Sequence, residues 1–381
     1  MPSSTSSSEV PGTGKGGLKP ILTFFDPEHV DRPVPARPWG RIAMMAVLAA
    51  TVLMAAWEVS WRGHWQYPGD FKNTDDLWAQ ERRKATGDAT VIIGSSRIFF
   101  DIDLDIWEDI TGVRPVQLAF EGTSPQPMLA DLAADEDFKG LVIVGVTNGL
   151  TFSGYALRGD AVEHARTQSI SRRIGHRLWM VFDTLFAATD DATRPKTIIY
   201  HAEFPLREGM ERRMEPRKLM VMDADRNTRV APRVMEDEAF QQLARDIWAD
   251  GLSRKLAAMK EAPDPDAMAK LQENMDRIIA DFSEKAAKIR ARGGEVVFAQ
   301  MPYNGMYAEL EDAAFPRERA FDRLVAETGS VSVTFHDYPE LQGLHLPEWS
   351  HLAPRDAEVF TARFAPILDA RLEESKAIKA D

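Results

Sequence analysis

The chain has 381 residues, 44% of them hydrophobic and 28% charged, enough apolar mass for one large core or two modest ones. Its formal net charge of −13 argues against general binding to nucleic acid, because a phosphate backbone calls for a basic footprint. Without cysteine it can form no disulfide, no thiolate metal site and no cysteine nucleophile.

Residues 1–40 are rich in Ser, Gly and Pro, show no apolar period and read as a disordered tail. Residues 42–57 then carry no charge, and with Glu58 at the interface the run extends to Trp61, near the ~20 residues a bilayer needs. Residues 41–61 are therefore the predicted transmembrane helix. Arg32, Arg37 and Arg41 precede it, and Trp57, Trp61 and Trp65 form an aromatic belt after it. That asymmetry puts the N-terminus in the cytoplasm and the rest of the chain outside it, with the membrane as a partner through this helix. Two alternatives stay open: a signal peptide cleaved after the small Ala55-Ala56 pair, despite its long leading region, and a core helix.

Residues 65–381 read as one α/β domain. A helix is expected from Asn73-Thr74 to Lys84, followed by a strand in Ala89-Thr-Val-Ile-Ile-Gly94, an apolar run closed by glycine. Further strands are predicted at 115–119 and 140–146, separated by helices around 104–110, ending at Gly112, and around 127–134. From about 152 to 292 the pattern turns helical. Residues 169–188 are apolar on one face, and Phe240, Leu243, Ile247, Leu252 and Leu256 recur at near-helical spacing. Asp264-Pro265 opens another helix, lined by Leu271, Met275, Ile278, Phe282 and Ile289 and closed by Gly293-Gly294. The alternation resumes with strands at 295–300 and 331–335 and helices at 317–328 and 354–374. The predicted fold is a five-stranded parallel, doubly wound sheet with a helical insertion of residues 152–292 after the third strand.

The polar residues that follow these strands are candidates for chemistry, because ligands gather at the carboxyl ends of open parallel sheets. Ser95 and Ser96 follow the first strand, Glu121-Gly122-Thr123-Ser124 the second, Asn148-Gly149 the third, and His351 comes after the fifth. A nucleophile, oxyanion donors and a base must converge in this way on one reacting carbonyl. The plainer reading of Ser95 and Ser96 is that they cap the next helix.

Ile93-Gly-Ser-Ser-Arg97 resembles the first sequence block of the SGNH hydrolases, the GDSL-type lipases and acyl-esterases, in the form seen in their membrane-anchored, envelope-modifying branch. Ala119-Phe-Glu-Gly122 resembles the second block, Gly145-Val-Thr-Asn148-Gly149 loosely resembles the third, and Glu348-Trp-Ser-His351 resembles the last, with Glu in place of Asp. The resemblance covers residues 90–150 and 295–368. It implies a flavodoxin-like, SGNH-type sheet, Ser96 as nucleophile, His351 as base, Glu348 as its orienting acid, and Gly122 and Asn148 as oxyanion donors. Ser95 would be a supporting group, and Asp337, just after the fifth strand, is a reserve partner for His351. The implied activity is hydrolysis or O-acyl transfer on an acyl-bearing carbohydrate or lipid of the envelope, beside a multi-pass membrane acyltransferase. The alternative is a non-catalytic scaffold or glycan-binding component. No cofactor is expected. His345, Glu348 and His351, spaced around Pro347, do not have the facing geometry of a helical metal motif, so no metal is expected either.

A cationic stretch stands apart from these blocks. Arg207, Arg212, Arg213, Arg217, Lys218, Arg226, Arg229 and Arg233 read either as a lid for an anionic glycan or lipid head group or as a solvated loop over an acidic protein.

Overall fold

The computed structural model describes residues 36–62, 67–189, 219–261 and 265–380. Most of the expected disordered tail, Trp65, the Asp264 cap and the cationic residues from Arg207 to Lys218 lie outside the described residues. The chain divides into two compact units, Met1–Ala55 and Ala56–Asp381. Helix α1, Trp39–Arg62, starts just after Pro38, has no buried residue, and is long and apolar enough to cross a membrane.

In the second unit, α2 (Asp75–Arg82) is capped by the Thr74 hydroxyl, which accepts the Leu77 N–H. Then come β1 (Thr90–Ile93), α3 (Ser96–Asp101), α4 (Leu104–Thr111), β2 (Val116–Gln117), α5 (Gln126–Ala134), β3 (Leu141–Gly145) and α6 (Asn148–Thr151). The chain continues through α7 (Asp160–Thr167), α8 (Ile170–Leu185), β4 (Met220–Met222), β5 (Thr228–Val230), α9 (Pro232–Glu236), α10 (Glu238–Glu261) and α11 (Pro265–Ala291). It ends with β6 (Glu295–Gln300), α12 (Gly305–Ala314), α13 (Phe321–Thr328), β7 (Val331–Thr334) and α14 (Pro354–Ala380). Local signals set several of these limits. The Asp103 carboxylate accepts the N–H groups of Asp105 and Ile106 to start α4, and Gly112 stops it in the left-handed conformation at φ 72°.

Five strands form one all-parallel sheet in the order β2-β1-β3-β6-β7. Ile92 pairs with Ile143, and Ile143 with Val297. Successive strand residues feed two apolar clusters. Ile92, Ile143, Val297 and Val333 pack with Phe99, Trp107, Phe360 and Phe364, whereas Val91, Val142, Val144 and Phe298 pack with Leu129, Phe282 and Leu324. Each such side chain contributes about 1.5–3 kcal/mol when fully buried, so a strand covered on both faces is apolar throughout instead of alternating.

Gly94 decides how β1 leaves the sheet. Its φ is 152°, and a Cβ there would lie 2.5 Å from Ile98 Cγ2 and 3.0 Å from Gly145 Cα. Only glycine lets the chain turn this closely against the end of β3 and deliver Ser95 and Ser96 there.

The stretch read as purely helical contains a strand pair. β4 and β5 are antiparallel, with Met220 opposite Val230 and Met222 opposite Thr228. Three-residue strands are too short to show an apolar period, and what fixes this pair is non-local. Arg226, in the turn at φ 68°, donates to Gln117 O at 2.7 Å, Ala119 O at 2.8 Å and Asn73 Oδ1 at 2.7 Å, with its guanidinium over Phe99 and Phe120. These contacts offset the ~1–3 kcal/mol that a non-glycine residue costs in the left-handed region. Burial pushes the guanidinium down to about 9, still charged at neutral pH. Arg226 is therefore neither a lid residue nor a solvated one. Arg229 pairs with Asp223 and Arg233 with Asp237.

Candidate active site

A cleft of about 740 Å³ opens beyond the carboxyl ends of β1 and β3. Ser96, Gly122 and His351 all line it, together with Trp248 and Leu252 of α10 and Arg97, Tyr307 and Glu311. Its size suits a small-molecule or chain-end substrate.

Ser96 is the first residue of α3, presented by the Gly94 turn and half-buried. Ser95 is buried and does not line the cleft; its hydroxyl bonds the Thr147 hydroxyl, tying the end of β1 to that of β3. His351 is stacked on Phe100, ring centroids 4.3 Å apart. Its Nδ1 lies 2.6 Å from Glu348 Oε1, and its backbone N–H donates to the same oxygen at 2.9 Å. Its Nε2 is buried and has no hydrogen-bond partner among the described residues. A carboxylate on Nδ1 fixes the tautomer in which Nε2 is free to accept a proton.

Glu348 is fully buried, and Trp248 Nε1 donates to its Oε2 at 2.7 Å. Burial pushes its carboxyl up, but the His351 charge and the hydrogen bonds from His351 and Trp248 outweigh that, leaving it below its ordinary value. The loop that carries it is strained: Trp349 sits at φ 74°, pinned by a bond from Asn304 N to its carbonyl at 3.0 Å. Leu352 N donates to the buried Asp101 at 2.8 Å, linking the His351 loop to the end of α3.

The other expected site residues divide. Gly122 lines the cleft at φ 66°, a conformation that favours glycine. Asn148 is buried and does not line the cleft, although its neighbours Thr147 and Gly149 do; its amide oxygen meets Gln300 Nε2 at 3.4 Å. Asp337 lies on the surface, held by Arg317 through two bonds, and does not line the cleft; Glu348 occupies the place for which Asp337 was the reserve.

Sequence reasoning missed four supports of this site. Trp248 comes from the stretch between β3 and β6 and carries no local signal. Phe100 and Asp101 follow the serines directly, but their contact with the His351 loop depends on the fold. Arg97, visible in the first block, is buried and forms an ion pair with the buried Glu311 at 2.6 Å, with Tyr303 and Tyr307 against its guanidinium. Among the described residues no group of three His, Asp or Glu side chains converges as a metal site.

No protein-family model and no curated protein matches the chain.

The Trp248 contact makes a first prediction. Trp248→Phe removes a hydrogen bond to an ionised, buried carboxylate and is expected to lower stability at neutral pH by about 1.5–3 kcal/mol. Glu348 titrates below its ordinary value in the folded protein, so its contribution is present above the unfolded carboxylate range and is lost as pH falls through the folded value. The deficit of the variant should therefore shrink in that acidic window. Urea unfolding at neutral and acidic pH measures it, and a deficit constant across pH would assign the loss to packing.

Proposed function

We propose that the chain is an SGNH-like serine esterase or O-acyltransferase, held by α1 in the cytoplasmic membrane with its N-terminus inside and residues 65–381 outside. In this reading the sheet is doubly wound and the elements between β3 and β6 are an insertion that walls the cleft. One observation carries the proposal: His351, oriented by Glu348 at Nδ1 and without a hydrogen-bond partner at Nε2 among the described residues, shares a cleft with the Ser96 hydroxyl.

The steps follow from these groups. His351 Nε2 takes the Ser96 proton as Oγ bonds to the ester carbonyl carbon, and the negative oxygen formed is met by the Gly122 N–H. Asn148 would need to present a donor from behind Thr147 to share that role. Glu348 stabilises the imidazolium. The imidazolium then returns its proton to the departing alcohol oxygen, leaving acyl-Ser96. Water or a sugar hydroxyl, deprotonated by His351, attacks the acyl carbon; the acyl–Oγ bond breaks, and His351 returns the proton to Ser96 Oγ. The substrate is an acyl-bearing carbohydrate or lipid of the envelope, and a multi-pass membrane acyltransferase is the partner that would supply or receive the acyl group.

A non-catalytic scaffold draws support from a different observation, that no hydrogen bond joins Ser96 to His351 among those of the described residues. Catalytic bonds of this kind often tighten only with substrate bound. A serine-reactive fluorophosphonate separates the two readings. The folded chain is expected to be labelled and Ser96→Ala to be unlabelled. Wild-type protein that stays unlabelled, or equal labelling of Ser96→Ala, would reject the serine mechanism.

A further inference from the structure

Helix α8 faces the wrong way for a core helix. Ile170, Ile174, Leu178, Val181, Phe182 and Leu185 fall within an arc of about 120° at 3.6 residues per turn. All six are exposed, Ile170 at 74%, Leu178 at 60% and Val181 at 55%. The opposite side is attached to the domain: Asp183 O accepts the Gly69 N–H at 2.6 Å, Arg172 Nε donates to Asp76 at 2.9 Å, and Met180 packs on the core. The helix carries Arg172, Arg173 and Arg177, and its one acid, Asp183, is buried.

The C-terminal end of α8 is bound by residues that directly follow the apolar run of α1. Arg62 Nη2 donates to Leu185 O at 3.0 Å, and the Glu58 carboxylate accepts the N–H groups of Ala187 and Ala188 at 2.8 and 2.9 Å. Trp57 and Trp61, residues suited to a membrane–water interface, flank Glu58 and meet edge to face at 5.7 Å. Where the chain emerges from a bilayer, this end of α8 must therefore lie at the bilayer surface.

We propose that α8 is an interfacial helix that docks the domain on the surface of the membrane that α1 enters, its apolar arc in the headgroup–acyl boundary and Arg173 and Arg177, beside that arc, toward anionic lipid phosphates. An apolar arc with basic residues and no exposed acid is the composition of helices that lie in this boundary. A protein partner for this face would have to reach it in the plane that the Glu58 and Arg62 contacts assign to lipid. The docking would hold the Ser96 cleft at a constant height above the bilayer. The inference rests on the anchoring role proposed for α1, and the test separates the two.

The chain has no cysteine, so single substitutions label uniquely. Full-length Leu178→Cys and Leu185→Cys, with Ile110→Cys as an exposed apolar control away from α8, carry a fluorophore and are reconstituted into phosphatidylcholine–phosphatidylglycerol vesicles. Bromine on the acyl chains is expected to quench the labels at 178 and 185 by about twofold or more, and aqueous iodide to quench only the label at 110. Labels at 178 and 185 that respond to iodide as the control does would overturn the docking. So would labels shielded from both quenchers, which would mean that protein covers the face, whether this chain, a second copy or, if seen only in native membranes, another membrane protein. Flotation reports on α1 separately. Protein that does not float with the vesicles removes the anchor and the docking together, whereas protein that floats with water-exposed labels removes the docking alone.

Discussion

Ser96→Ala and His351→Ala are each expected to lower ester turnover by a factor on the order of 10⁴ to 10⁶, and the double variant by little more, because in the proposed mechanism the two groups act as one unit. In that mechanism His351 Nε2 acts only on the serine proton, and the Ser96 hydroxyl is a weak nucleophile without a base. Glu348→Gln should fall between these variants and wild type. It keeps the length of the side chain but gives up the charge that stabilises the imidazolium, and it replaces one acceptor toward His351 or Trp248 by a donor. Ser95→Ala should be milder, since its hydroxyl is engaged with Thr147 and Ser95 does not line the cleft. Turnover of a chromogenic acyl ester by the full chain, with folding checked by unfolding curves, ranks the four. An inactive Ser95→Ala beside an active Ser96→Ala would move the nucleophile by one residue, and losses that multiply in the double variant would show that Ser96 and His351 act separately.

Arg97→Met is expected to cost about 3–5 kcal/mol of stability, because it strands the buried Glu311 carboxylate. The pair is an ion pair at 2.6 Å without the alignment of a hydrogen bond, and Arg97 Nη1 and Glu311 Oε2 have no hydrogen-bond partner among the described residues. Such a pair offsets its own desolvation poorly, so replacing both partners by apolar residues should recover most of what one replacement loses. Urea unfolding of Arg97→Met, Glu311→Leu and the double variant closes the cycle. A double variant as unstable as the sum of the singles would mean that the two side chains are not coupled. Arg97 also donates weakly to Ser350 Oγ at 3.4 Å, beside His351. The apolar double variant should therefore lose turnover even where it regains stability.

Where residues a few positions apart decide the outcome, the sequence suffices. The run Val91-Ile-Ile93 closed by Gly94, the strand 295–300 and the helix closed by Gly112 are all found where local pattern put them, because apolar runs, caps and left-handed glycines act over one turn of chain. Glu348 and His351 are likewise three positions apart, and their bond forms within one loop. Tertiary packing decided what lies further away. Trp248 reaches Glu348 across 100 positions. Arg226, read as lid or solvent, is buried against the carbonyls of Gln117 and Ala119, and its turn creates a hairpin that no period announced. Asp337 follows β7 closely but is drawn outward by Arg317, and Asn148 is covered by Gln300 while its neighbours face the cleft. Helices α8 and α11 show the limit most directly. Both carry an apolar face at the same period, yet Phe282 and Ile289 of α11 are buried, and Ile170 and Leu178 of α8 are exposed. A helical period states that a face is apolar; which phase covers that face depends on the neighbours the fold supplies.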